Sequence, residues 1–285
     1  MKLLSAYQKH IPLTTYQEHH YHALTLSHPF LSVRSIDPLT IEEIESLLTP
    51  EIDFFLRVNR FFFEPELQEL KELLVEVVQL PLKGIIISDI GVLMVLKELG
   101  YQGEIILEMD TTLTSVNDIN VYLANGISSV ILARELSLDE MVEIGKQVIA
   151  PVSINFFGHQ LMSTSRRKLL QAYGEESHLA FTQDKLYAMK EKTRPDSLYF
   201  IMEDEYGTHV YHGEMLNGFD SIESLSGFEY LVVDPIQMPD SMLFEVGDKF
   251  GYGTISNEEL TQKYPSIRFS RGLWDTKTLD KKEEA

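Results

Sequence analysis

The chain has 285 residues, 44% of them hydrophobic and 24% charged, enough apolar material for a large core, which excludes disorder over most of its length. Its 24 basic residues against 44 acidic ones leave a formal charge of −20, which repels a nucleic-acid backbone unless positive charge is concentrated locally or supplied by a partner. There is no cysteine, which excludes disulfides, thiol nucleophiles, zinc–thiolate sites and any iron–sulfur cluster ligated by this chain's own thiolates.

From the N-terminus, Ser5, Tyr7, Gln8, Lys9 and His10 stand where a signal peptide needs an apolar stretch. Apolar runs such as Val92 to Leu96 are broken well before the ~18 residues that span a bilayer. The expectation is a soluble cytoplasmic protein without membrane contact. Phe30 to Arg34 reads as a weak strand, and Thr40-Ile41-Glu42-Glu43 has the spacing of a capping box that opens a helix. Phe54 to Asn59 reads as a strand, followed by a helix over Glu66 to Leu80. Four β-branched apolar runs follow: Gly84 to Asp89, Glu104 to Asp110, Ser129 to Glu135 and Pro151 to Phe157. They recur at intervals of roughly 20–25 residues, the length of a strand, a helix and two short loops. Between them, Gly100 and Asn125-Gly126 mark helix ends, and Ser137 to Glu140 forms a second capping box.

Unbroken apolar strands of this kind are buried on both faces, as in a parallel sheet covered by helices. Ser197 to Met202 and His209 to Tyr211 flank Asp204-Glu205-Tyr206-Gly207 as an inserted β-hairpin, and Glu229 to Asp234 closes the series. Seven strands are legible, one short of eight. The fold class is α/β, a TIM-like (β/α) barrel whose completeness stays open, with one barrel-like domain over 1–275, the hairpin at about 197–212, and a charged, disordered tail over 276–285.

In such a barrel, chemistry gathers where strands end. Those positions hold Arg34, Asn59, Asp89, Glu108, Asp110, Arg134, Glu135, Asn155, His159 and Asp234, a set suited to a polar or anionic small molecule, although Asp89 and Asp110 could equally cap helices. His19, His20 and His22 beside Glu18 read as a solvated patch, and His209 and His212 lack metal-site spacing. No metal ligands are assigned. No G-x-S-x-G elbow or phosphate-binding glycine loop occurs. The segment from Gln160 to Arg194 carries seven basic residues, among them Arg166, Arg167 and Lys168, against four acidic ones. It suits an RNA phosphate or an anionic substrate, or else merely the solvated face of a helix over Ser165 to Ala172.

Val130 to Glu140 resembles the signature of the collagenase-like peptidases, family U32, of unknown catalytic type. Phe157-Gly158-His159-Gln160 through Leu170, and Glu203-Asp204-Glu205-Tyr206-Gly207-Thr208-His209, are similar to further elements of that family, and Arg268 to Thr278 to its closing motif more loosely. The likeness spans roughly residues 50 to 275, so the first fifty residues are read as abridged. The resemblance implies one of two activities. One is proteolysis. The other is hydroxylation, which relatives perform on a tRNA wobble uridine, a ribosomal RNA cytidine or a ubiquinone precursor, the RNA-directed ones with prephenate. Those relatives carry four cysteines for an iron–sulfur cluster, near the positions of Met162 and Lys168 here.

Short cysteine-poor members form pairs with a longer cysteine-containing relative. The resemblance therefore implies a non-cluster subunit of tRNA wobble-uridine 5-hydroxylation that holds no cofactor alone, uses prephenate as a co-substrate, and has that relative and tRNA, not DNA, as partners. Glu135, His159 and His209 would be its catalytic group. Asn59, Glu108, Asp110, Arg134, Arg166 and Arg167 would bind substrate. The alternatives are a protease and a scaffold that has lost its chemistry.

Overall fold

The computed structural model describes residues 1–190, 192–193, 197–253 and 255–278. Eight parallel strands close a barrel: β1 (Lys2–Ala6), β2 (Tyr21–Ser27), β3 (Asp53–Val58), β4 (Gly84–Ile87), β5 (Glu104–Glu108), β6 (Ser129–Ile131), the first part of β7 (Val152–Ser165) and β11 (Tyr230–Val233). The ring closes because β11 pairs with β1 on one side, Lys2 against Tyr230, and with β7 on the other, Leu231 against Ile154.

The ring of eight strands is closed, and the N-terminal region read as abridged supplies two of them. Its first two strands are those the sequence reading passed over, while Phe30 to Arg34 is a loop. That loop is held by Asn59, whose Oδ1 accepts from the Val33 amide at 2.9 Å. The apolar residues Phe30, Leu31 and Val33 do not by themselves distinguish this stapled loop from a strand.

The interior of the barrel is a separate apolar layer of Leu4, Ala23, Phe55, Ile86, Ile106, Ile131, Tyr230 and Val232. One inward residue from nearly every strand meets at the axis, so the barrel is filled rather than open. The alternate residues, such as Leu24, Leu56, Ile85, Leu107 and Val130, face outward against the helices. Each fully buried aliphatic side chain contributes about 1.5–3 kcal/mol.

The outer ring includes α1 (Leu13–Glu18), α2 (Ile41–Leu47), α3 (Leu67–Val77), α4 (Ile90–Glu98), α5 (Val116–Ala124), α6 (Leu138–Gln147), α7 (Leu169–Ser177), α8 (Asp240–Tyr252) and α9 (Asn257–Lys263). Capping boxes start α2 at Thr40 and α6 at Ser137, as their spacing predicts, and Gly100 and Gly126 follow α4 and α5 with positive φ. The basic segment's helix runs from Leu169 rather than from Ser165. The histidine patch is not simply solvated. His19 stacks on Phe244 at 4.6 Å and bonds Asp248 at 2.8 Å, and His20 packs edge-on against Tyr252, so the cluster docks α8 onto the barrel.

β7 has 14 residues, far more than the ring needs. At Gly158 it leaves the barrel. Here φ is +117°, and a Cβ would lie 2.3 Å from the Asp234 carbonyl oxygen, so only glycine fits the bend. Beyond it, β7 pairs antiparallel with β10 (Gly207–Asn217), which pairs with β9 (Leu198–Asp204), and β9 with β8 (Tyr187–Lys190). The predicted hairpin is therefore part of a larger antiparallel extension, to which β12 (Phe269–Ser270) adds a further pairing with β10.

No helix among the described residues is long and apolar enough to cross a membrane. Most of the charged tail, residues 279–285, lies outside the described residues. Within its first part, Thr278 donates to Glu140 at 2.8 Å on α6.

Candidate functional site at the barrel mouth

The strands' C-terminal ends present a buried chain of opposite charges. Arg57 meets Glu108 at 3.3 Å, Glu108 meets Arg134 at 3.2 Å, Arg134 pairs with Asp110, and Asp110 meets Arg34 at 3.4 Å. The period-two alternation of β3 and β5 produces this array, because Arg57 lies two residues beyond Phe55 and Glu108 two beyond Ile106, each on the inward face. Burial alone would raise the Asp110 carboxyl, but Arg34 and Arg134 outweigh it and hold the group well below the usual carboxylate range. Burial would likewise lower Arg134, and Asp110 and Glu108 reverse that, keeping it charged.

Tyr211 of β10 is fully buried close to this network, its hydroxyl pushed up by burial and without a hydrogen-bond partner among the described residues. The antiparallel extension thus covers the mouth. Asp110 does not act as a helix cap, whereas Asp89 does, accepting from Gly91 N at 2.7 Å.

A second cluster adjoins it. Asp204 Oδ2 lies 3.0 Å from His209 Nε2, and Thr164 Oγ1 lies 2.7 Å from His209 Nδ1. A carboxylate only accepts, so Nε2 carries the proton, and in the neutral ring Nδ1 accepts from the Thr164 hydroxyl. Burial opposes the Asp204 charge, but the hydrogen bond from His209 and those from the amides of Arg34 and Tyr206 bring the carboxyl down to about 2. The arrangement is a hydroxyl, a base and an orienting carboxylate in sequence. A cleft of about 150 Å³ bordered by Arg34, Asn59, Arg60, Arg166 and Tyr206 lies against Thr164 and His209.

The aromatic rim of this cleft is fixed by Arg60, 2% exposed, whose guanidinium lies 3.6 Å from the Tyr206 ring centre, 4.4 Å from Phe30 and 4.9 Å from Phe62. Arg166 stacks on the exposed Phe63 at 3.8 Å and donates to the Phe61 carbonyl.

The predicted residues therefore separate into groups. Glu108, Asp110 and Arg134 form one ion-pair chain. Asn59, His209 and Arg166 border the cleft. Arg167 is exposed beside it, and Glu135 is exposed on the loop into α6, where its carbonyl accepts from Thr278. His159 is buried on the extension, its Nδ1 donating to the His212 carbonyl at 3.0 Å, and borders a different cavity. Glu135, His159 and His209 are not brought together.

Sequence reasoning passed over Arg57, Arg60, Thr164, Asp204, Tyr206 and Tyr211. Arg57 was recoverable from inward alternation with Phe55. Thr164 was not, because its partner lies across a strand pairing 45 residues away.

The family model described as Peptidase family U32 matches residues 18–234. The chain is 26% identical over 204 residues to tRNA hydroxylation protein P2 of Bacillus subtilis (strain 168), an alignment covering 67% of this chain and 64% of that protein. It is 24% identical over 219 residues to tRNA hydroxylation protein P of Escherichia coli (strain K12), covering 61% and 48%, and 25% identical over 174 residues to the protein of that name from Helicobacter pylori (strain J99 / ATCC 700824), covering 57% and 40%. The chain thus spans less than two thirds of the length of each relative.

Proposed function

Because the chain belongs to Peptidase family U32, we propose that it is a non-cluster subunit of a prephenate-dependent system that 5-hydroxylates the wobble uridine of tRNA. The observation that carries this reading is the alignment over 67% of the chain with a protein named for tRNA hydroxylation. Its partner is a cysteine-containing relative that supplies the iron–sulfur cluster. Met162 is exposed, and Lys168 donates to the Asp204 carbonyl, so neither residue offers a thiolate near where the relatives place cysteines.

Prephenate is a dianion, and the guanidinium groups of Arg34, Arg57 and Arg134 suit its carboxylates. A ligand carboxylate would exchange with Asp110 or Glu108 for the same donors once the extension moves aside. Deletion of the gene followed by mass spectrometry of bulk tRNA tests the reading. Loss of 5-hydroxyuridine-derived nucleosides, restored by the gene, is expected, and unchanged levels would refute it. Feeding prephenate to a strain unable to make it tests the co-substrate.

A second reading, hydrolysis, is favoured by Thr164–His209–Asp204, since neutral His209 can take the Thr164 proton as its oxygen attacks a carbonyl. Gelatin cleavage by purified protein, insensitive to a chelator and abolished in Thr164→Val but kept in Thr164→Ser, would establish it. No cleavage, or cleavage unchanged in Thr164→Val, would remove it.

A further inference from the structure

A cavity of about 620 Å³ lies between the extension and the C-terminal segment, away from the ion-pair chain and from the Thr164 cleft. Its walls combine three kinds of group. Phe200 and His159 meet edge to face at 5.0 Å, and His212 lies tilted against Tyr199 at 6.4 Å, providing flat ring surfaces. Glu214 and Arg268 add one carboxylate and one guanidinium, and among the described residues Arg268 has no ion-pair partner.

The opening follows from the strand pattern. β10 pairs with β9 as far as His212 and with β12 from Met215, leaving Gly213 and Glu214 unpaired between them. At Gly213 a Cβ would lie 2.2 Å from the Leu198 carbonyl oxygen, so a side chain there would collide with the end of β9.

We propose that this cavity binds a uridine nucleotide. Its size is that of sites taking one small ligand, typically ~300–1,000 Å³. The rings stack on a base, Glu214 accepts from the ribose hydroxyls, and Arg268 binds the phosphate. Selectivity comes from His159. Because Nδ1 donates to the His212 carbonyl, the neutral ring has Nε2 as an acceptor. Burial lowers the His159 pKa and keeps the ring neutral. Uracil has a donor at N3–H, whereas cytosine has an acceptor there, so His159 favours uracil. That the nucleotide is the one to be hydroxylated rests on the tRNA reading; that the cavity takes a uridine nucleotide does not.

The test is calorimetry and NMR titration of the full chain with uridine 5′-monophosphate and cytidine 5′-monophosphate. Uridine monophosphate is expected to bind about tenfold more tightly, the ratio one hydrogen bond supplies. Arg268→Ala should weaken both ligands together, and His159→Phe should erase the ratio, with the NMR spectrum reporting that each variant is folded. Absence of uridine monophosphate binding at millimolar concentration, equal affinity for the two nucleotides, or binding unchanged in both variants would overturn the proposal. If His159→Phe does not fold, His159→Gln, which restores a donor and an acceptor, should narrow the ratio rather than keep it. Binding seen here while gene deletion leaves tRNA unaltered would refute the tRNA reading alone; tRNA altered by deletion without nucleotide binding would refute only the cavity assignment.

Discussion

Tyr206, at the tip of the β9–β10 hairpin, lays its ring 3.6 Å from the guanidinium carbon of Arg60, which follows β3 in the barrel. The contact ties the extension to the mouth it covers, because Arg60 also donates to the Phe30 carbonyl at 2.9 Å and pairs with Glu66.

Arg60→Met keeps the volume but removes the charge and its donors. It is expected to cost about 2–4 kcal/mol in urea unfolding, since it leaves Glu66 with only the more exposed Arg166 as a cation and three rings without one. Tyr206→Leu, which removes one ring only, should cost about 1 kcal/mol. An Arg60→Met loss under 0.5 kcal/mol, about the level of a neutral surface change, would show that the staple does not hold.

Arg134→Met leaves Glu108 and Asp110 with one guanidinium each, Arg57 and Arg34 respectively. The expected loss is about 3–5 kcal/mol at pH 7. Adding Glu108→Gln should recover part of it, and a double-mutant cycle would measure the coupling. Strict additivity would contradict the chain of charges.

Two stages of acid sensitivity are expected. Burial depresses the pKa of His159, so folding stability is fully present above its unfolded value of about 6.5 and falls as pH drops through the folded value, where the unfolded chain binds the proton and the native ring resists it. The depressed carboxyls of Asp110 and Asp204 contribute stability above about pH 4 that is lost as pH falls toward about 2. Unfolding free energies at pH 7.5, 6.5, 5.5 and 4.5 for wild type and His159→Phe isolate the first stage. The variant should show a shallower decline below pH 6.5, and parallel curves would count against it.

Gly158→Ala places a methyl group 2.3 Å from the Asp234 carbonyl oxygen at a φ of +117°. We expect a loss of about 3 kcal/mol or more, or failure to fold, whereas Gly227→Ala, with open space around it, should change stability by less than about 1 kcal/mol. Equal effects at the two sites would mean that β7 leaves the barrel by a softer bend.

Legibility in the sequence followed burial on two faces. β4, β5, β6 and β11 are short apolar runs covered on both sides, and their pattern is unambiguous. β1 reads Lys-Leu-Leu-Ser-Ala, with a polar serine at a buried position, and β2 begins Tyr-His, with its histidine exposed, so neither has such a run. Strand ends pointed correctly to Glu108, Asp110 and Arg134 as neighbours, because a barrel places all strand ends on one face. The Thr164–His209–Asp204 cluster depends on the register of β7 against β10, which a 2-residue period does not specify. Glu135 and His159 sit next to strand ends in the sequence, yet one turns outward on a loop and the other is carried past the barrel by the length of β7.

The position of β11 in the ring also bears on how the molecule assembles. The strand that seals the cylinder is made only after the whole antiparallel excursion, and it must find β1 from nearly the opposite end of the chain. Pairings so distant in sequence carry a large loop-closure cost before any contact repays it, which makes them slow. Without Tyr230–Val233, the pairings of the first seven strands leave the edges of β1 and β7 without ring partners. The same excursion that shields the mouth in the finished protein delays sealing, and β10 can meanwhile pair along β7 and occupy the outer part of one exposed edge.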